Sequence, residues 1–121
     1  MLLEREDIDV NQADTEFGAT PLSWAAEKGH EEVVKMILER EGVNPNQADT
    51  KYGQTPLSWA AENGHEGVVR MLLERNDVST SILDNQGKTP LSLALSQGHY
   101  GIAHVIEERD NANSNAADRG V

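Results

Sequence analysis

Residues 18–31 read GATPLSWAAEKGHE and residues 53–66 read GQTPLSWAAENGHE, so one segment returns 35 residues later. A third, weaker copy begins at Gly87, keeps the letters TPLS and again ends in GH. It follows the second copy after 34 residues, one fewer than the spacing between the first two copies. Such a short period is typical of arrays that stack copies of one small structural unit. Each unit in such an array packs mainly on its neighbours, and the array presents an extended surface.

One copy can be divided into local elements. Thr20 is suited to cap a helix with its hydroxyl, and Pro21 suits the first helical position. Apolar residues follow at helical spacing as far as Gly29, which is expected to end this helix in a left-handed conformation. Acidic residues then open a second helix, where they favour the helix dipole. The predicted buried face of this second helix consists of Val33, Val34, Ile37 and Leu38. Pro45 prevents further helix, and residues 49–53 are predicted to form a turn.

This order of turn, TPL segment, paired alanines, GH pair and paired valines resembles the ankyrin repeat, over about residues 1–109. The resemblance implies an all-α solenoid of stacked helix-turn-helix units joined by β-hairpin-like loops. It also implies a protein-interaction scaffold that binds a partner through its concave face. The near-identical copies are similar to ankyrin arrays of large fungal multidomain proteins. The chain departs from the family pattern where Ser23, Ser58 and Ser92 stand in place of the usual histidine.

Alignment of the copies predicts where the array begins and ends. Residues 1–5 align with residues 71–75, so the chain is expected to open inside the second helix of a repeat, as a fragment would. Glu107 replaces the leucine of earlier copies, which is typical of a terminal capping repeat. The polar end has little to bury and is predicted to be disordered. The predicted divisions are a partial repeat (1–14), two full repeats (15–49 and 50–83), a capping repeat (84–110) and a tail (111–121).

The charge is strongly acidic and unevenly distributed. The net charge is −11, and residues 1–49 carry twelve carboxylates against four basic side chains. A phosphate backbone would be repelled, so nucleic acid is not an expected partner. The charge serves solubility in any case, and its asymmetry favours a protein partner with a basic surface near the N-terminal half.

Little in the sequence indicates chemistry or a membrane. Cysteine is absent, which excludes thiolate metal sites and agrees with a cytoplasmic location. The N-terminus does not resemble a signal peptide, and the apolar runs are too short for a membrane span. No nucleophile motif or metal-spaced cluster occurs, so we expect neither an enzyme nor a bound cofactor.

The repeated histidines invite a metal hypothesis, which the geometry of a solenoid disfavours. His30, His65 and His99 occupy one position of successive repeats. Stacked helices lie about 8–10 Å apart, whereas zinc ligands lie about 2 Å from the ion. We therefore expect structural histidines in the turn between helices, and a solvent-exposed His104.

Aromatic residues divide into two classes. Trp24 and Trp59 are candidates for stacking against a ligand. They stand where the family usually packs leucine between first helices, however, so repeat-to-repeat packing with an exposed ring edge is the favoured interpretation. Phe17 and Tyr52 lie in the turn, away from both helical faces. They are either partner contacts, since aromatic residues are enriched in binding hot spots, or they pack the two turns against each other.

The resemblance places the concave surface on the hairpin tips and the first helices. The candidate partner-binding residues are Glu16, Phe17, Ala19, Glu27, Lys28, Lys51, Tyr52, Gln54, Glu62, Asn63, Asn85, Gln86, Lys88, Ser96 and Gln97. The alternative is a structural spacer within a longer array, which the high identity of the repeats favours. An enzyme or ligand-binding module would instead need a closed pocket.

The N-terminal end of the array is expected to be open. Without a complete neighbour, the first full repeat should expose apolar surface around Leu22 and Val33, and residues 1–8 should fray. Exposed apolar patches tend to find partners. The sequence therefore predicts weak self-association through this end.

Overall fold

The computed structural model describes residues 9–119, and within this range it is built from helices and loops without strands. The elements are α1 (Pro21–Lys28), α2 (Glu31–Leu38), α3 (Pro56–Asn63), α4 (Glu66–Leu73), α5 (Pro90–Ser96) and α6 (Tyr100–Arg119). They form three helix pairs. The first helices α1, α3 and α5 pack in one layer, and the second helices α2, α4 and α6 in another. The predicted all-α solenoid is confirmed.

Each first helix begins and ends as its sequence predicts. Thr20 accepts a hydrogen bond from the backbone N–H of Ser23, and Thr55 and Thr89 cap α3 and α5 in the same way. The hydroxyls of Thr20 and Ser23 also lie 3.4 Å apart, so serine keeps a local bond at the variant position. Gly29 follows α1 with a φ of 74°, in the left-handed region that favours glycine.

The core runs along the whole stack. Leu22 and Leu57 in the first-helix layer and Val34, Leu72 and Ile106 in the second-helix layer are almost completely buried. Alanines fill the space between first helices, which lets neighbouring repeats approach closely. The hydrophobic core therefore lies between repeats as much as within them.

The turn histidines join neighbouring repeats. The His65 ring lies 2.8 Å, through Nε2, from the backbone oxygen of Glu27 in the preceding repeat, and His99 makes the same contact with Glu62 at 3.1 Å. Gly29 leaves room for this ring, because a Cβ built there would lie only 2.6 Å from His65 Nδ1. The sequence predicted turn histidines but not this link between repeats.

Exposure at the N-terminal flank agrees with the sequence prediction in part. Val33 is 43% exposed, whereas its counterpart Val68 in the second full repeat is 0% exposed. Val33 was also placed on the buried face of α2, and that placement is wrong, because its side chain has no such cover. Leu22 is only 1% exposed, so the expected exposure there is wrong; its helix α1 packs against both α2 and α3. The predicted fraying concerns residues 1–8, which lie outside the described residues, as does most of the partial repeat.

The C-terminal end differs from the predicted disordered tail. Helix α6 continues through residues 111–119 to Arg119, well past the last turn of the earlier second helices. Thr80 Oγ1 donates to Asp110 Oδ1 over 2.6 Å and holds the helix at this point. No glycine or proline follows until Gly120, so nothing in the sequence stops the helix earlier. Low apolar content alone was a poor guide to helix continuation here.

Candidate functional site

An aspartate organises the loop tip of each of the first two full repeats. Asp14 Oδ1 accepts backbone hydrogen bonds from Glu16, Phe17 and Gly18 at 2.7–3.1 Å. The bond from the Phe17 N–H is the largest factor that lowers the pKa of the Asp14 carboxyl. Asp49 Oδ1 accepts two corresponding bonds in the second full repeat, from the backbone N–H groups of Tyr52 and Gly53. Each tip therefore has a defined shape fixed by one carboxylate.

The same carboxylate holds a tryptophan from the adjacent first helix. Trp59 Nε1 donates to Asp49 Oδ2 over 2.8 Å, and Trp24 makes the same bond to Asp14. The Phe17 and Trp24 rings lie 5.7 Å apart at 67°. The second tip repeats this edge-to-face contact between Tyr52 and Trp59 at 5.7 Å and 85°. Each tip aromatic is thus packed against the tryptophan of its own repeat, an arrangement that aromatic pairs favour.

Between these units lies an open groove of about 650 Å³ on the side of the tips and first helices. Its lining residues are Phe17, Ala19, Ser23, Trp24, Glu27, Asp49, Tyr52, Gln54, Trp59, Glu62, Asp84, Asn85 and Gln86. Four of them are aromatic and four carry a carboxylate, whereas none carries a basic side chain. The groove is therefore aromatic in character and acidic in charge.

One basic side chain bridges the two aromatic tips beside the groove. The Lys51 ammonium lies 4.6 Å from the centre of the Phe17 ring and 5.4 Å from that of Tyr52. A second ammonium, from Lys28, lies 6.0 Å from the Trp24 ring. The tips therefore touch each other through a lysine, and the aromatic faces of this surface already attract cations within the chain.

The structure brings about half of the predicted contact residues into the groove. Those that line it are Phe17, Ala19, Glu27, Tyr52, Gln54, Glu62, Asn85 and Gln86. Those outside its lining are Glu16, Lys28, Lys51, Asn63, Lys88, Ser96 and Gln97. Asn63 has a structural task instead, since its side-chain amide donates to the Glu27 carbonyl of the preceding repeat. Which of these residues contact a partner stays a prediction.

The two tryptophans and the tip aspartates Asp49 and Asp84 line the groove but were not among the predicted contact residues. Trp24 and Trp59 were expected mainly to pack between repeats, yet both line the groove. A signal was present, because each tryptophan follows an aspartate of the tip by ten residues. The third repeat keeps Asp84 but has Leu93 at the tryptophan position, and that leucine is buried.

The groove carboxylates differ in how far they are already bonded. Glu62 accepts a hydrogen bond from the Gln54 amide at 3.3 Å, but the first full repeat has Ala19 in place of that glutamine. In the described part of the chain, no side-chain donor reaches Glu27. Asp84 Oδ1 accepts from the tip backbone, and with Leu93 as neighbour its other oxygen lacks the indole donor of the earlier repeats. Glu27 and Asp84 are thus the least committed acids of the groove.

Metal sites and membrane-spanning helices do not occur in the part of the chain that the structure describes. Among the described side chains, those of residues 9–112, no three histidine, aspartate or glutamate groups come close enough together to hold a metal ion. No helix among residues 9–119 combines the length and the apolar character needed to cross a bilayer.

Comparison with known proteins identifies the family. The family model described as ankyrin repeats in three copies matches residues 1–82 and again residues 41–118. No curated protein matches the chain significantly. Together the two matches span nearly the whole sequence and cover the three stacked helix pairs described above. The chain therefore belongs to the ankyrin-repeat family, whose members generally mediate protein–protein interaction.

Proposed function

We propose that this chain binds a segment of a partner protein in the groove formed by its tips and first helices. The observation that supports this most is the pair of aspartate-anchored tryptophans. Each indole is fixed by a charged hydrogen bond and by an edge-to-face neighbour, so its ring enters the groove already ordered. Rigid aromatic side chains are the residues that dominate binding energy at interfaces.

The partner in this proposal carries a basic surface. Support comes from the four carboxylate-bearing residues of the lining and from the larger negative charge of residues 1–49. Such a field speeds encounter with a positively charged protein, and the gain falls as salt is added. We also propose a cytoplasmic location, because the sequence contains no cysteine and so needs no oxidising compartment to form disulfides.

Site-specific photo-crosslinking tests where the partner binds. A photoreactive amino acid replaces Gln86, which is exposed in the groove, and in a matched control it replaces Lys35, which is exposed on α2. In an extract of the source cells we expect a protein adduct from position 86 that disappears when Phe17 and Tyr52 are both changed to serine. An adduct only from position 35 would place the interface elsewhere. No adduct from either position would favour the spacer alternative.

A second candidate is weak self-association through the N-terminal flank. Val33 and Met36 are exposed there, and the opposite flank exposes Leu95, whose counterparts Ala26 and Ala61 are fully covered by the next repeat. In a head-to-tail contact, the N-terminal flank of one molecule would pack on the opposite flank of a second molecule, as successive repeats pack on each other within the chain. Sedimentation equilibrium should then give a mass that rises with concentration, and the double change Val33→Lys and Met36→Lys should abolish the rise. A constant monomer mass at millimolar concentration would exclude this association.

A further inference from the structure

We infer that the groove recognises arginine side chains on an extended segment of its partner, with one arginine beside each tryptophan. This inference rests on the proposed function and specifies the ligand of that same groove. It starts from the combination of rings and charges. A lining with aromatic faces, carboxylates and no basic residue has the complementary chemistry for a cation.

The chain itself provides a stand-in for the bound cation. The Lys51 ammonium packs over Phe17 and near Tyr52, on the tip side of the groove. The Lys51 ammonium packs on these rings without a carboxylate partner: none of the ion pairs among the described residues includes Lys51. The other two aromatic residues that line the groove are Trp59 and Trp24, and the Trp24 ring already has the Lys28 ammonium 6.0 Å from its centre.

The uncommitted acids decide which cation fits best. Glu27 lies on the same helix as Trp24, one turn further along, and both residues line the groove. A planar guanidinium can stack on an indole and at the same time donate paired hydrogen bonds to a carboxylate, which a lysine ammonium cannot do. The arrangement therefore favours arginine over lysine.

The repeat translation sets the spacing of the recognised side chains. Trp24 and Trp59 occupy equivalent positions on α1 and α3, and adjacent packed helices lie about 8–10 Å apart. In a polyproline II segment every third side chain points the same way, over a rise of about 9 Å. Two arginines separated by two residues in such a segment would reach the two tryptophans together. The third repeat, with Leu93, would offer no further indole.

Fluorescence anisotropy with a short labelled peptide tests this directly. The probe holds two arginines separated by two prolines. One control peptide replaces both arginines by citrulline, which has the same shape without the charge, and another leaves only one residue between them. We expect the probe to bind at least about tenfold more tightly than the citrulline peptide, which loses both cation–aromatic contacts, and about fivefold more tightly than the shortened peptide, which keeps one. Equal binding of the citrulline peptide would overturn cation recognition, and equal binding of the shortened peptide would overturn the spacing.

Variants of the protein distinguish groove contacts from general acidity. Trp24→Leu introduces the residue that the third repeat already carries, and Glu27→Gln removes the uncommitted acid; each should weaken probe binding about fivefold to tenfold. Glu32→Gln also removes one negative charge, but at an exposed position on α2 outside the groove, and should have no comparable effect. Lys51→Met removes the competing positive charge and should tighten binding about twofold to threefold.

The outcomes separate this inference from the proposed function. If Trp24→Leu and Glu27→Gln weaken the probe no more than Glu32→Gln does, or if the probe does not bind at all, arginine recognition in the groove is wrong. The crosslinking experiment does not depend on arginine. An adduct from position 86 would therefore preserve the groove as the partner site even when the arginine peptide fails.

Discussion

The first two full repeats and the third begin with the same capped first helix but have different loop tips. All three cap the first helix with threonine, and all three follow it with a glycine of positive φ. In the third repeat, however, the tip is one residue shorter, has no aromatic side chain, and faces Leu93 instead of a tryptophan. The residues that build the helix pair are therefore separable from those that build the groove. Changes at the first set should cost stability, and changes at the second should cost binding.

The largest effect on stability should come from a core leucine of the second full repeat. Leu72 is completely buried between its neighbours, so Leu72→Ala should lower the free energy of unfolding by about 2–5 kcal/mol. Leu83→Ala is the matched control in the third-repeat loop, where the side chain is 59% exposed, and it should change stability by less than about 0.5 kcal/mol. Urea unfolding followed by circular dichroism measures both. Equal effects of the two substitutions would contradict a core shared between repeats.

The sequence predicted the structure well at positions where a residue acts on its own stretch of backbone. Thr20, Pro21 and Gly29 gave the bounds of α1, because a cap, a first-turn proline and a left-handed glycine act through their own backbone. The sequence predicted the structure less well where the position of a side chain depends on contacts with other parts of the fold. Whether Trp24 packs between repeats or faces a groove depends on the Asp14 carboxylate, which reaches it only in the folded tip. Likewise, Leu22 and Val33 differ in exposure because of what packs on each, which one repeat alone does not specify.

A smaller effect should distinguish equivalent histidines. His65 bonds to the Glu27 carbonyl of the repeat before it, whereas His30 is exposed and has no such bond within residues 9–119. His65→Ala should therefore lower the free energy of unfolding by about 1–2 kcal/mol, because a part-buried hydrogen bond and ring packing are lost. His30→Ala should have little effect. The measurement is again urea unfolding, and a loss at His30 as large as that at His65 would show that the link between repeats contributes nothing of its own.

The smallest expected effect concerns acid pH and the aspartate that holds the first tip. The pKa of Asp14 is lowered in the folded chain, first by the Phe17 backbone hydrogen bond and also by Trp24. A carboxyl with a depressed folded pKa stabilises the fold above its unfolded pKa, and this stabilisation is lost as pH falls through the folded pKa. Asp14→Asn removes the titration, so wild type should be the more stable at neutral pH, and the difference should shrink below about pH 4. A Trp59→Phe background leaves Trp24 as the only tryptophan, and its emission should change over the same acid range. A stability difference that stays constant down to pH 2, with unchanged emission, would mean that Asp14 does not hold the tip through its charge.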